Sequence, residues 1–239
     1  MNIVDAIRES CDVYFYQLGL QLGVDRLAKY AKGCGFASVT GTGMDLERKG
    51  LIPTSKWKLL YTGEEWQRGE TLSIAIGQGF NLVTPMQTLC MIAAVANGGT
   101  LYQPQFIKSI QTVTGKEIFR ASPKKNGRLP ANQRTLQIIK KGLWEVVNKP
   151  GGTAYWHSRD KNIEICGKTG TAQVVSLKKR EEDTTGTNRY EDHAWFVAYA
   201  PSVDPRIAVT VLVEHGGHGS SAAAPLAKEM IRTYFDRKK

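Results

Sequence analysis

The chain has 239 residues, 41% hydrophobic and 23% charged, which excludes a largely disordered protein and allows a sizeable core. Its net charge of +10 suits anionic partners, yet the basic residues are dispersed. The densest run, Lys178-Lys179-Arg180, is followed at once by Glu181-Glu182-Asp183, so no basic stripe fit for nucleic acid is present.

Ile3, Ile7, Cys11, Tyr14, Leu18 and Leu22 recur at spacings of three and four, which predicts one helical face ending at Gly23. A second helix is expected over Val24 to Lys32. Residues 34–83 are rich in Gly, Thr and Pro and read as a long irregular region, the kind that packs over a site, with a turn at Gly77-Gln78-Gly79-Phe80-Asn81. Thr84-Pro85 opens a buried helix running to Asn97, with Thr as N-cap and Pro at the first helical position. Residues 101–120 suggest a hairpin turning at Thr114-Gly115-Lys116, and 131–148 an amphipathic helix. Ile163 to Val175, Ala194 to Ala200 and Arg206 to Val213 read as strands, the last two antiparallel across a short turn. A loop from His215 to Gly219 leads to a final helix with Pro225 in its first turn and an apolar face of Leu226, Met230, Ile231, Tyr234 and Phe235.

No run approaches the ~20 apolar residues of a bilayer span, and the N-terminus lacks the basic and apolar segments of a signal peptide. The chain is therefore either cytosolic or a piece of a longer exported protein. The four cysteines contain no CxxC, which argues against a zinc ribbon or a thioredoxin-type motif. Cys90, inside an apolar run, reads as a buried small hydrophobe. The histidines match no zinc spacing and read as loop or surface residues.

Lys168-Thr169-Gly170-Thr171 carries the most information. A strand-interior glycine is unfavourable unless something must approach the backbone. Here a charge, two hydroxyls and a bare backbone position follow one another. Such an edge can hold an extended peptide by main-chain hydrogen bonds and clamp its terminal carboxylate, with the Thr171 N–H available as an oxyanion donor. Ser10-Cys11-Asp12 is an S-x-D element. Ser158-Arg159-Asp160 and Ser202-Val203-Asp204 also fit that pattern, but only Ser10 has the sequence separation needed to face the Lys168 strand.

Together with Ile76-Gly77-Gln78-Gly79, Thr84-Pro85-Met86-Gln87 and His193-Ala194-Trp195-Phe196, these elements run in the order and spacing of one family. Over residues 1 to 236 the chain resembles the class B penicillin-binding proteins, whose motif triplet is S-x-x-K, S-x-N and K-T-G. The resemblance implies an α/β (α+β) transpeptidase fold of the serine β-lactamase type, an antiparallel sheet of five strands flanked by helices. Residues 1–239 would then be the C-terminal part of a single transpeptidase domain. Two strands and the nucleophile helix would precede residue 1, leaving the strand near 206–213 with an open edge.

The implied activity is peptidoglycan D,D-transpeptidation in cell-wall elongation. The implied catalytic residues are Ser10, Asp12 (where Asn is more usual) and Lys168, and the implied substrate residues are Thr169, Gly170 and Thr171. Expected partners are stem peptides, β-lactams and membrane proteins of the elongation machinery. The expected place is the periplasmic face of the bacterial inner membrane, with the anchor outside this chain. In some relatives that resemble this chain the Cys at position 11 helps bind zinc with Asp and His residues from the preceding segment. Here a packed thiol is the expectation, and no cofactor is expected. Four S-x-x-K strings occur, starting at Ser55, Ser122, Ser158 and Ser176. None is expected to open an apolar helix or act as the nucleophile, so the chain alone should be inactive. The alternative is a non-enzymatic interaction module that keeps the fold.

Overall fold

The computed structural model describes residues 1–174 and 191–237. The run at Lys178 to Asp183, the string starting at Ser176, and Val175 lie outside them.

The predicted first helix is two helices, α1 (Ile3–Glu9) and α2 (Asp12–Leu22). Ser10 breaks them by taking the left-handed conformation, φ 53° and ψ 50°, and its N–H bonds back to Ala6 and Ile7. This conformation is uncommon and mildly costly for a residue with a Cβ. The apolar spacing runs through the break although α1 packs on α7 and α2 on α5, so periodicity alone could not show it.

Helix α3 (Val24–Gly33) follows, and then two helices inside the stretch read as irregular, α4 (Ser55–Thr62) and α5 (Glu70–Ala75). Thr54 caps α4 by accepting from Trp57 N, and Gly63 closes it with φ 73°. Their short length and the exposed Leu59, Leu60 and Tyr61 hid the helical period. Helix α5 lies tightly against α2: a Cβ at Gly19 would come within 2.5 Å of the Ala75 Cβ, so only glycine permits this approach. Helix α6 (Pro85–Ala96) begins with a full capping box between Thr84 and Gln87. The buried Gln87 amide also donates to the carbonyls of Ser38 and Lys49, tying the irregular segment to this helix. Cys90 is half-buried rather than buried.

The hairpin is shorter than expected. Strand β1 (Thr100–Tyr102) does not join it. Strands β2 (Ser109–Gln111) and β3 (Glu117–Arg120) form it, while β1 pairs with β4 (Lys125–Arg128). After α7 (Gln133–Asn148) and the short α8 (Tyr155–Ser158) comes the main sheet. It is antiparallel in the order β5 (Cys166–Ala172), β6 (His193–Ala200), β7 (Ile207–Val213). A π-helical turn (Gly219–Ala223) leads into α9 (Ala224–Asp236).

One face of the sheet buries Phe196, Ala198 and Val209 against Ala224, Ala227 and Ile231 of α9. The other buries Tyr199 and Cys166 with Ile92 and Val95 of α6 and Leu136 and Leu143 of α7. The result is an antiparallel sheet flanked by helices, an α+β fold. The expected apolar face of α9 is only partly buried. Leu226 and Met230 are 51% and 53% exposed and, with Val211 and Tyr234, line an open groove beside β7. Among the described residues β7 has no partner on its outer side. That open edge leaves Leu226 and Met230 uncovered.

Candidate active site

Strand β5 is the other edge of the sheet, and a cleft of about 450 Å³ runs along it. Its walls are Ser10, Asp12 and Phe15 at the head of α2, Ala75, Ile76 and Gln78 after α5, and Lys168 to Thr171 of β5. Every site residue expected from the sequence lines this cleft. Alternation puts Lys168 on one face of the strand and Thr169 and Thr171 on the other. All three reach the same cleft because it wraps a sheet edge.

Lys168 Nζ donates to Ser10 Oγ at 2.8 Å and to the carbonyl of Thr169 at 2.9 Å. Ser10 makes the first bond from the left-handed break between α1 and α2. Burial pushes the Lys168 ammonium down from 10.5 to about 8, with the Asp12 carboxylate acting in the opposite sense. The lysine is therefore a charge that can give up its proton near neutral pH. Helix α1 is fixed beneath it by Arg8, which pairs with Asp5 at 2.8 Å and with the buried Glu145 of α7 at 3.0 Å.

Two further residues belong to the site, and the sequence assigned neither of them a role there. Thr153, after the C-terminus of α7, shares a 2.8 Å hydrogen bond between its hydroxyl and that of Thr169, and its N–H donates to Arg8 O at 3.2 Å. It joins the base of the Ser10 helix to the threonine of the strand. Gln78, which the sequence places in a turn and in one of the family stretches without a role of its own, donates from Nε2 to Thr171 O at 2.6 Å and accepts from Gln173 N at 3.3 Å. The carbonyl of one residue and the N–H two residues on face the same side of a strand. The Gln78 carboxamide thus sits on the free edge of β5 as a peptide group would, and marks the end of the open register. The Thr171 N–H faces the same side as its carbonyl, toward the cleft.

The other candidates lie elsewhere. Ser55 opens α4, a helix with Leu59, Leu60 and Tyr61 exposed, and its hydroxyl donates to Asp25 at 2.6 Å while Lys58 is paired with Glu70 at 2.8 Å. Ser158 is fully buried, and Ser202 donates to Glu164 in a turn. Cys11 is the half-buried N-cap of α2, and no cluster of three His, Cys, Asp or Glu side chains suited to a metal occurs among the described residues, so the residues present do not fit a zinc site. His193 and His215 pack edge to face with ring centres 4.8 Å apart.

The penicillin binding protein transpeptidase domain model matches residues 1–232. The chain belongs to this transpeptidase family. It is 37% identical over 240 residues to the peptidoglycan D,D-transpeptidase MrdA of Haemophilus influenzae, covering 98% of this chain and 36% of that protein. To MrdA of Escherichia coli K12 it is 31% identical, covering 97% of this chain and 36% of that protein. Its fold matches penicillin-binding protein 2 of Helicobacter pylori, solved in complex with MreC, with a TM-score of 0.82, 34% identity and coverage of 99% of this chain and 40% of that one. It matches Pseudomonas aeruginosa penicillin-binding protein 2 in complex with WCK 5153 at 0.81 and 34%, covering 98% and 47%. This transpeptidase chain thus spans less than half the length of these relatives. The matched region holds the Ser10 and Lys168 motifs that form the cleft.

Proposed function

We propose that this chain supplies the substrate-gripping part of a peptidoglycan D,D-transpeptidase centre, as the C-terminal portion of a single transpeptidase domain. The reading rests on the 2.8 Å contact between Lys168 Nζ and Ser10 Oγ at the edge of a strand that also presents two threonine hydroxyls. A peptide ending in D-Ala-D-Ala adds to the free edge of β5, and its terminal carboxylate takes hydrogen bonds from Thr169 and Thr171 beside the Lys168 charge. A serine attacks the penultimate D-Ala carbonyl, and the terminal D-Ala departs. The Lys168–Ser10 pair moves a proton to the leaving nitrogen, and the Thr171 N–H stabilises the oxyanion. The amine of a second stem peptide then resolves the acyl-enzyme into a cross-link. Ser55, Ser122 and Ser158 do not line the cleft, so none of them is assigned as the attacking serine, and Ser10 keeps the proton-transfer role beside Lys168. β-Lactams occupy the same cleft as carboxylate-bearing mimics of the substrate.

By analogy with the relatives, the work is done on the periplasmic face of the inner membrane with an elongation-machinery membrane protein as partner. No helix among the described residues is long and apolar enough to cross a membrane.

Calorimetry with a D-Ala-D-Ala peptide and with its C-terminal amide tests the assignment. Only the free carboxylate should bind, and a Thr169→Val, Thr171→Val variant should lose it. Equal affinity for the amide would refute the clamp. Incubation with fluorescent penicillin should leave no covalent label on this chain.

Thr153 gives a finer test. A hydroxyl has one proton, so when Thr169 donates to the carboxylate it must accept from Thr153. Thr153→Val should weaken the carboxylate ligand roughly three- to tenfold, the worth of one hydrogen bond. Thr153→Ser should bind as the parent does, and circular dichroism should show both variants folded.

A further inference from the structure

Beyond Gln78 the surface changes from polar to aromatic. The Trp57 and Tyr61 rings of α4 stack with centres 5.5 Å apart and planes 28° from parallel. Phe80, two residues after Gln78, meets Trp57 edge to face at 5.3 Å and Trp66 at 6.4 Å. Polar contacts anchor the cluster. Trp66 Nε1 donates to Thr71 Oγ1 at 2.9 Å, and the buried Lys58 beneath α4 holds Glu70 at 2.8 Å and the Glu65 carbonyl at 3.1 Å. Tyr61 is nevertheless 77% exposed and Phe80 38%, with Leu59 and Leu60 exposed alongside. Exposed apolar surface rimmed by polar side chains marks a binding site, and here Lys56, Glu65 and Gln67 form such an exposed rim.

Flat rings with a polar edge suit one occupant above others. A pyranose offers an apolar face of C–H groups to a ring and hydroxyls to a surrounding polar rim, and tyrosine and tryptophan supply that contact with little side-chain entropy to lose. The chain also links the two: Gln78 lines the cleft, and Phe80, two residues on, packs on Trp57. Because Gln78 occupies the Thr171–Gln173 register, a chain lying on the edge must leave it there, at a residue two positions from Phe80.

We propose that Trp57, Tyr61 and Phe80 form a saccharide subsite, which receives the glycan carrying the stem peptide held in the cleft. This rests on the peptide reading of the cleft, and the two can be tested apart. Calorimetry on the whole chain compares a D-Ala-D-Ala stem peptide with the same peptide bearing its disaccharide. The sugar-bearing ligand should bind about two- to tenfold tighter, the range of one aromatic contact. In Tyr61→Ala the ratio of the two affinities should fall toward one, and in Tyr61→Phe it should persist. A ratio near one in the parent chain, or an equal loss for both ligands in Tyr61→Ala, would overturn the subsite. The free peptide reads the cleft alone. Should it fail to bind, NMR shifts of the Trp57 indole on titrating the free disaccharide decide the subsite by themselves: a saturating shift supports it and none refutes it.

Discussion

Replacing Gly219 by alanine should lower stability by about 2–3 kcal/mol and disable the cleft, although Gly219 lies behind it and not in it. The π-helical turn crosses the back of β5 and β6 so closely that a Cβ at 219 would sit 2.3 Å from both Gly170 O and Trp195 O. Both atoms are backbone, so no side chain can swing aside. Either the turn lifts away, uncovering Ala223 and Ala224, or β5 is pushed outward at Gly170, between Thr169 and Thr171. Overpacking of a closed interior costs ~1–3 kcal/mol, and a backbone clash belongs at the upper end. Urea denaturation should show the lower midpoint, and calorimetry should show at least about a tenfold loss of affinity for a carboxylate-terminated peptide, since a clamp displaced by even 1 Å loses hydrogen-bond geometry. An unchanged midpoint would mean that the turn yields freely and does not set the position of β5.

That contact illustrates what the sequence shows and what it conceals. The strand, the Lys168 motif and the pairing of Ser10 with it were legible because charge, hydroxyl and glycine at those spacings have few other uses. The break at Ser10 was not, since apolar residues continue in phase across it and a left-handed serine has no sequence signature. Thr153 was hidden for a different reason. It lies in a glycine-rich turn after α7 and acquires its role only because α1 and β5 both come to it. Gln78 could have been suspected: a polar side chain between two glycines has a backbone free to bring it to a strand edge. On α9, the helical period groups Leu226 and Met230 with Ile231 on one apolar face, yet the period says nothing of whether a strand covers the far end of the sheet. Local pattern identified the elements, whereas the long-range contacts that complete the site have to be seen.

Lys168→Met should make the chain more stable at neutral pH while removing its affinity for carboxylates. The fall of the ammonium from 10.5 to about 8 means that burial penalises the charged form by roughly 3 kcal/mol, at ~1.4 kcal/mol for each tenfold change. Below about pH 8 both folded and unfolded chains carry the proton, and the penalty is felt in full. Between 8 and 10.5 the unfolded chain binds more protons than the folded one, so the stability of the parent chain should rise with pH across that window. Above 10.5 the penalty is gone. A methionine fills similar volume without the charge, and its cost is the hydrogen bonds to Ser10 and Thr169, which water entering the cleft can partly replace. The expected balance is a gain of about 1–2 kcal/mol at pH 7 that falls as pH passes 8 and turns into a loss of about 1–2 kcal/mol above pH 10.5, where only the missing hydrogen bonds remain, read from urea midpoints of both proteins along the pH series. The same substitution should weaken a carboxylate-terminated peptide by about thirtyfold or more, the value of a charge-assisted pair. In the parent chain that affinity should decline as pH passes about 8. A variant less stable than the parent at pH 7 would show that the Ser10 and Thr169 bonds outweigh desolvation, and that the lysine holds the cleft together as well as charging it.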